Sequence, residues 1–180
     1  MKWNAPNIIT ICRIILIPVF IAFYFTKMPD WNIWAAIIFI VAAFTDWLDG
    51  YLARKHNQIS DFGKLWDPIA DKLLVLAALL LLMDWGKVGF IVVLIIVSRE
   101  LIIGGVRAVA ASKGVVIAAD KSGKLKTVVQ FVAIILLMLN DWPFAFENVS
   151  VGYILIWISA ALSVYSCIEY IVKNKKLLSD

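Results

Sequence analysis

Six apolar runs, at residues 8–26, 31–52, 65–83, 88–109, 128–140 and 149–172, alternate with short polar segments along the chain. All but the fifth reach the roughly 17–25 residues that cross a bilayer's hydrocarbon core as a helix. The fifth is short and is expected to borrow a turn from residues 124–127. The pattern predicts an all-α membrane protein of six transmembrane helices, forming one domain over residues 1–180. The first run contains Arg13, ends in bulky residues and lacks a small-x-small cleavage pattern. It is therefore expected to stay as helix one and not to be removed as a signal peptide.

Composition points the same way. The chain is 63% hydrophobic and 17% charged, against roughly 25% charged residues in soluble domains, and its mean hydropathy is +0.91. Lys2, Arg54, Lys55, Lys64, Lys113, Lys121, Lys124, Lys126, Lys173, Lys175 and Lys176 fall on one side of the predicted bundle, and the opposite loops hold Lys27 and Lys87. The positive-inside rule places both termini and the 53–64 and 111–127 segments in the cytoplasm. The net charge of +4 suits anionic lipid headgroups and gives nucleic acid no better claim. Cys12 and Cys167 lie inside predicted helices without CxxC spacing or a histidine partner, and read as small apolar fillers.

One stretch breaks the apolar pattern. Residues 45–72, TDWLDGYLARKHNQISDFGKLWDPIADK, bring Asp46, Asp49, Asp67 and Asp71 to the margins of two hydrophobic runs. At 100° per residue, Asp46, Asp49, Gly50 and Ala53 share one helical stripe, which joins two carboxylates to two residues with almost no side chain. Asp67 and Asp71 are four apart and stack on one face of the next helix, where Pro68 is tolerable in a first turn. The short 55–64 connection makes these helices antiparallel neighbours, so the two acidic pairs can face each other. A rise of 1.5 Å per residue sets Asp46 about 12 Å along the helix from Arg54, near the level of phospholipid phosphates.

A carboxylate at the centre of a membrane helix costs roughly 2.5–3.5 kcal/mol. Four of them need more cationic compensation than Arg54 and Lys72 can give. One or two divalent cations supply it, and an all-oxygen donor set favours Mg²⁺ or Mn²⁺ over zinc. Two such ions between carboxylate pairs are a recurring device for in-line displacement at phosphorus. His56, the only histidine, reads as a solvated loop residue. On the residues alone two other readings stay open: a proton or cation pathway, and a helix-packing network in which Gly50 and Ala53 are small-residue contacts.

Written as a pattern, the stretch is Asp46-x2-Asp49-Gly50-x2-Ala53-Arg54-x8-Gly63-x3-Asp67-x3-Asp71. This resembles the signature of the CDP-alcohol phosphatidyltransferase family, in which a CDP-linked lipid is attacked at its β-phosphorus by an alcohol and CMP leaves. The resemblance implies that Asp46, Asp49, Asp67 and Asp71 bind two divalent metals and that Asp71 is also the catalytic base. It further implies that Gly50, Ala53, Arg54, Ser60 and Gly63 receive the CDP-lipid, and that the enzyme is a homodimer in the cell membrane with its active site facing the cytoplasm.

Three further segments refine the resemblance: "NIITICRIILIP" with Asn7, Thr10, Arg13 and Pro18, "SREL" at 98–101 and "GKLKTVVQ" at 123–130. Together they resemble the bacterial phosphatidylglycerophosphate synthases, which condense CDP-diacylglycerol with sn-glycerol 3-phosphate. Asn7 and Thr10 then join the CDP-lipid contacts; the alternative is that they only cap helix one. Arg13 has the simpler reading of snorkelling to the interface. Arg99 and Glu100 are expected to form a structural buried pair. An acceptor with its own phosphate needs cations apart from the carboxylates, because the carboxylates repel it. Arg suits a bidentate grip and Lys a point charge. Arg107, Lys121 and Lys124 are the candidates from the basic set. The alternatives are the same chemistry with inositol phosphate or serine as acceptor, or a cation or proton transporter.

Overall fold

The computed structural model describes residues 5–26, 28–56, 61–115, 117, 121–144 and 149–175; at 5–10, 46–56, 61–65, 67, 68 and 121 it describes the helical backbone without side-chain surroundings. Six helices follow in chain order: α1 (Ala5–Thr26), α2 (Trp31–His56), α3 (Asp61–Asp84), α4 (Phe90–Ser112), α5 (Lys121–Met138) and α6 (Val151–Lys173), with no strand element among the described residues. All six expected helices are present. The fifth begins three residues before the borrowed turn.

The chain forms two units, Met1–Leu81 and Leu82–Asp180. In the first, α1 packs on α2. Phe20 and Phe39 meet with ring centroids 6.4 Å apart. Ala35, Ala36 and Ala42 are buried on the same face of α2, and small residues there let the two backbones approach. The turn between the helices is closed by Asp30, whose φ of 56° is left-handed and whose carbonyl accepts from Ile33 and Trp34. Tyr24 packs edge-on against Trp31 at 4.9 Å beside it. Arg13 is only 1% exposed, so it is enclosed by protein and does not snorkel outward. In α3, Ala70, Leu74, Ala78 and Leu81 are buried at i, i+4, i+8 and i+11, the spacing of one helical face.

In the second unit α6 packs against both α4 and α5. Ser122 of α5 bonds Glu169 of α6, while Gly152 of α6 lies against Leu137 of α5; the two helices are therefore antiparallel. Arg99 and Arg107 of α4 reach Ser166 and Tyr170 of α6 respectively, so these two run the same way. The C-terminus of α4, the N-terminus of α5 and the C-terminus of α6 consequently share one end of the unit. At the other end Gly86, with φ of 75°, gives α3 the left-handed residue that commonly ends a helix. Lys87 then donates to Asn140 at 2.8 Å.

Large apolar side chains face outward on several helices, while the core itself is mostly apolar with a few buried polar residues. On α6 the buried positions include Gly152, Ser159, Ser163 and Ser166, while Ile154, Trp157, Ile158, Val164, Ile168 and Val172 are exposed. Ser163 and Ser166 turn their hydroxyls to the carbonyls of Ser159 and Ser163, which satisfies them inside the helix. On α2, Ile33, Trp34, Ile37, Ile40, Val41 and Phe44 are likewise exposed. Among the described residues α6 is the one helix long and apolar enough to cross a membrane by length and composition. Cys167 is buried as expected of a filler; Cys12 is exposed.

Candidate active site

The acidic stretch lies on two uninterrupted helices. Because α2 continues to His56 and α3 begins at Asp61, the helical spacing assumed for Asp46, Asp49, Gly50 and Ala53, and for Asp67 and Asp71, holds in the backbone. Thr45, just before the stripe, bonds the carbonyl of Ala42 at 2.8 Å. Asp71 is half-buried beside the buried Ala70. The surroundings of Asn7, Thr10, Asp46, Asp49, Gly50, Ala53, Arg54, Gly63 and Asp67 beyond their helical backbone lie outside what is described, as does all of Ser60. As chemistry, a donor set made only of carboxylates suits a hard divalent cation.

The second unit carries a polar seam among α4, α5 and α6. Glu100 Oε1 accepts from Arg99 Nη1 and from Lys126 Nζ, each at 2.8 Å. Arg99 Nε also donates to Ser166 Oγ at 3.2 Å. The guanidinium lies so close to α5 that a Cβ at Gly123 would stand 2.9 Å from Arg99 Nη2. Nearer the basic end, Ser122 Oγ donates to Glu169 Oε2 at 2.6 Å and Lys173 donates to Glu169 Oε1 at 2.7 Å. Arg107 donates from Nε to the Tyr170 hydroxyl at 3.2 Å, with its guanidinium carbon 5.6 Å from the centre of the Tyr170 ring.

The expected Arg99–Glu100 pair is thus present, half-buried and not fully buried, with Lys126 as an unforeseen third member. Of the three candidates for the acceptor's phosphate, Arg107 is exposed and held by Tyr170, Lys124 is exposed, and the side chain of Lys121 lies outside the described residues. Lys124 and Lys126 differ completely in setting, since Lys126 is 2% exposed. Two residues apart on a helix is about 200°, so one of them points inward when the other points out. Sequence reasoning missed Tyr170, Ser122 and Glu169. The four-residue spacings Ser166 to Tyr170 and Glu169 to Lys173 were available as a signal, but a seam is recognisable only once the partner helices are known.

A family model described as CDP-alcohol phosphatidyltransferase matches residues 3–165. The CDP-diacylglycerol–glycerol-3-phosphate 3-phosphatidyltransferase of Bacillus subtilis (strain 168) is 39% identical, covering 98% of this chain and 97% of the relative. The protein of the same name from Haemophilus influenzae is 38% identical, covering 100% and 98%. That from Rickettsia bellii is 37% identical, covering 96% of each. The acidic helices, the near-complete overlap with these relatives and the matched family model lead to one assignment: the chain belongs to the CDP-alcohol phosphatidyltransferase family and is an enzyme of that kind.

Proposed function

We propose that the enzyme transfers the phosphatidyl group of CDP-diacylglycerol to sn-glycerol 3-phosphate, giving phosphatidylglycerophosphate and CMP. The observation that carries this reading is the near-full-length similarity to relatives bearing that activity in their name, in a chain that keeps all four motif aspartates at their spacing. The large apolar side chains that α2 and α6 turn outward suit lipid and support the reading of these helices as membrane-spanning; six spans in a single domain are proposed from the six apolar runs of the sequence. Arg107, Lys113, Lys121, Lys124, Lys173 and Lys175 lie at the end of the second unit where α4 and α6 finish and α5 begins, and Lys87 lies at the other. That asymmetry supports a cytoplasmic basic end for this unit; the distribution of Lys and Arg along the sequence is the basis for proposing that both termini and the active site face the cytoplasm of the cell membrane as well.

Asp46, Asp49, Asp67 and Asp71 would hold two divalent cations, Mg²⁺ or Mn²⁺. When bound, such ions offset charge on the pyrophosphate and on the departing CMP. Asn7, Thr10, Gly50, Ala53, Arg54, Ser60 and Gly63 receive the CDP-lipid, the small residues leaving room for the nucleotide. Asp71 takes the proton of the acceptor's hydroxyl as its oxygen bonds to the lipid-side phosphorus, and the bond from that phosphorus to the CMP oxygen breaks. Arg107, Lys121 and Lys124 hold the acceptor's own phosphate away from the carboxylates. A homodimer is the family's expected state.

Purified protein supplied with CDP-diacylglycerol, Mg²⁺ and one acceptor at a time tests the assignment. CMP release with glycerol 3-phosphate, and little with serine or inositol phosphate, is expected. Release with either of those alone would move the acceptor assignment. Ion flux in liposomes lacking any CDP-lipid would favour a transporter.

A further inference from the structure

Lys173 is committed to Glu169 through its ammonium; four other cations of the second unit with described side chains lie beside the seam, and their states differ. Arg99 is committed at Nη1 to Glu100 and at Nε to Ser166. Lys126 is buried and its ammonium bonds the same Glu100 oxygen. Lys124 is exposed on a flexible stem. Arg107 alone among them combines exposure with a fixed anchor, donating from Nε to Tyr170 at 3.2 Å and lying over its ring.

The anchor is itself rigid. Tyr170 is 2% exposed and packs in a cluster with Ile103 and Cys167, and Ile103 stands four residues before Arg107 on the same face of α4. An arginine held through Nε presents its outer edge, Nη1 and Nη2, as a two-donor fork that matches two oxygens of a phosphate. Among the described residues no hydrogen bond engages either of those two nitrogens of Arg107.

We propose that Tyr170 is a positioning residue for phosphomonoester recognition: its buried hydroxyl and ring fix the Arg107 guanidinium so that the outer fork is set before the acceptor's phosphate arrives. The proposal rests on the reading of Arg107 as an acceptor-phosphate ligand. Fixing a rotamer-rich side chain in advance removes part of the ordering cost of binding. Its effect should therefore appear in the affinity for the phosphorylated acceptor and not in the chemical step.

Tyr170→Phe keeps the ring and its packing and removes only the hydroxyl. In full-length enzyme the variant should raise KM for glycerol 3-phosphate by roughly three- to tenfold, with kcat, KM for CDP-diacylglycerol and thermal midpoint nearly unchanged. Inorganic phosphate, used as a competitive inhibitor, should weaken by the same factor. Arg107→Ala should raise the same KM further, and adding Tyr170→Phe to it should change nothing more. If Arg107→Ala raises this KM and Tyr170→Phe does not, the positioning role is overturned while the phosphate reading stands. If Tyr170→Phe lowers kcat and the thermal midpoint together without a selective KM effect, Tyr170 is a packing post and the proposal is also overturned. An unchanged KM in Arg107→Ala overturns the phosphate reading and the proposal with it.

Discussion

Lys126 of α5 donates to Glu100 of α4 at 2.8 Å, on the same carboxylate oxygen that takes Arg99. Two cations thus converge on one anion between helices, and the anion is the member whose loss leaves both others without their shared partner. Breaking a buried ion pair by removing one side typically costs about 3–5 kcal/mol; with Glu100 partly exposed, Glu100→Ala should fall near the lower figure. Thermal unfolding in detergent measures this. A midpoint equal to the parent's would show that the seam does not hold α4 to α5.

Gly152 is required for a different reason. A Cβ there would stand 2.9 Å from Leu137 Cγ and from Asp141 Oδ1, and 3.1 Å from the Leu137 backbone nitrogen, while its own N–H donates to Asp141 Oδ1 at 2.6 Å. Backbone cannot move aside as a side-chain tip can. Gly152→Ala should therefore destabilise by about 1–3 kcal/mol, the usual cost of overpacking. The same unfolding assay would contradict the tight α5–α6 approach by finding the variant as stable as the parent.

Topology makes a separate prediction. With Cys12 and Cys167 replaced by Ser and Ala, a cysteine introduced at Lys113 should react with a membrane-impermeant maleimide only when the cytoplasmic face is open. One introduced at Lys87 should react from the opposite face. Labelling of both from one side would contradict the six-span arrangement.

Metal dependence follows from the donor set. Chelation should abolish CMP release, Mg²⁺ or Mn²⁺ should restore it, and Zn²⁺ should restore it poorly because the proposed ligands are all oxygen. Full activity in chelator would remove the metals from the account.

Much of the fold was legible because apolar runs of spanning length leave few alternatives to helices. All six were found, and α2 and α3 kept the acidic spacings. The start of α5 was less legible: its first turns carry Lys121, Ser122, Lys124, Lys126 and Thr127, and hydropathy scores such residues as loop. Three of them have polar groups satisfied within the folded unit. Ser122 reaches Glu169, Lys126 reaches Glu100 and Thr127 bonds the carbonyl of Gly123.

The same limit applies to Arg13, which an isolated helix would send toward the interface and which the folded chain encloses. The site divides in a similar way. The four aspartates are readable from spacing, since a helix converts i, i+3 and i, i+4 into one face. Tyr170 was not readable: its relation to Arg107 joins positions 63 residues apart and needs α4 and α6 to run the same way.

The central claim is that the aspartate helices carry out phosphatidyl transfer onto glycerol 3-phosphate with Asp71 as base. Mass analysis of the lipid formed by purified enzyme from CDP-diacylglycerol and glycerol 3-phosphate, in parent and Asp71→Asn, tests it most directly. The account predicts a lipid carrying two phosphates from the parent and a loss of about 10²–10⁴ in its rate of formation in Asp71→Asn, the range for removing a general base. Absence of that lipid from an active preparation, or its formation at the parent rate by Asp71→Asn, would contradict it.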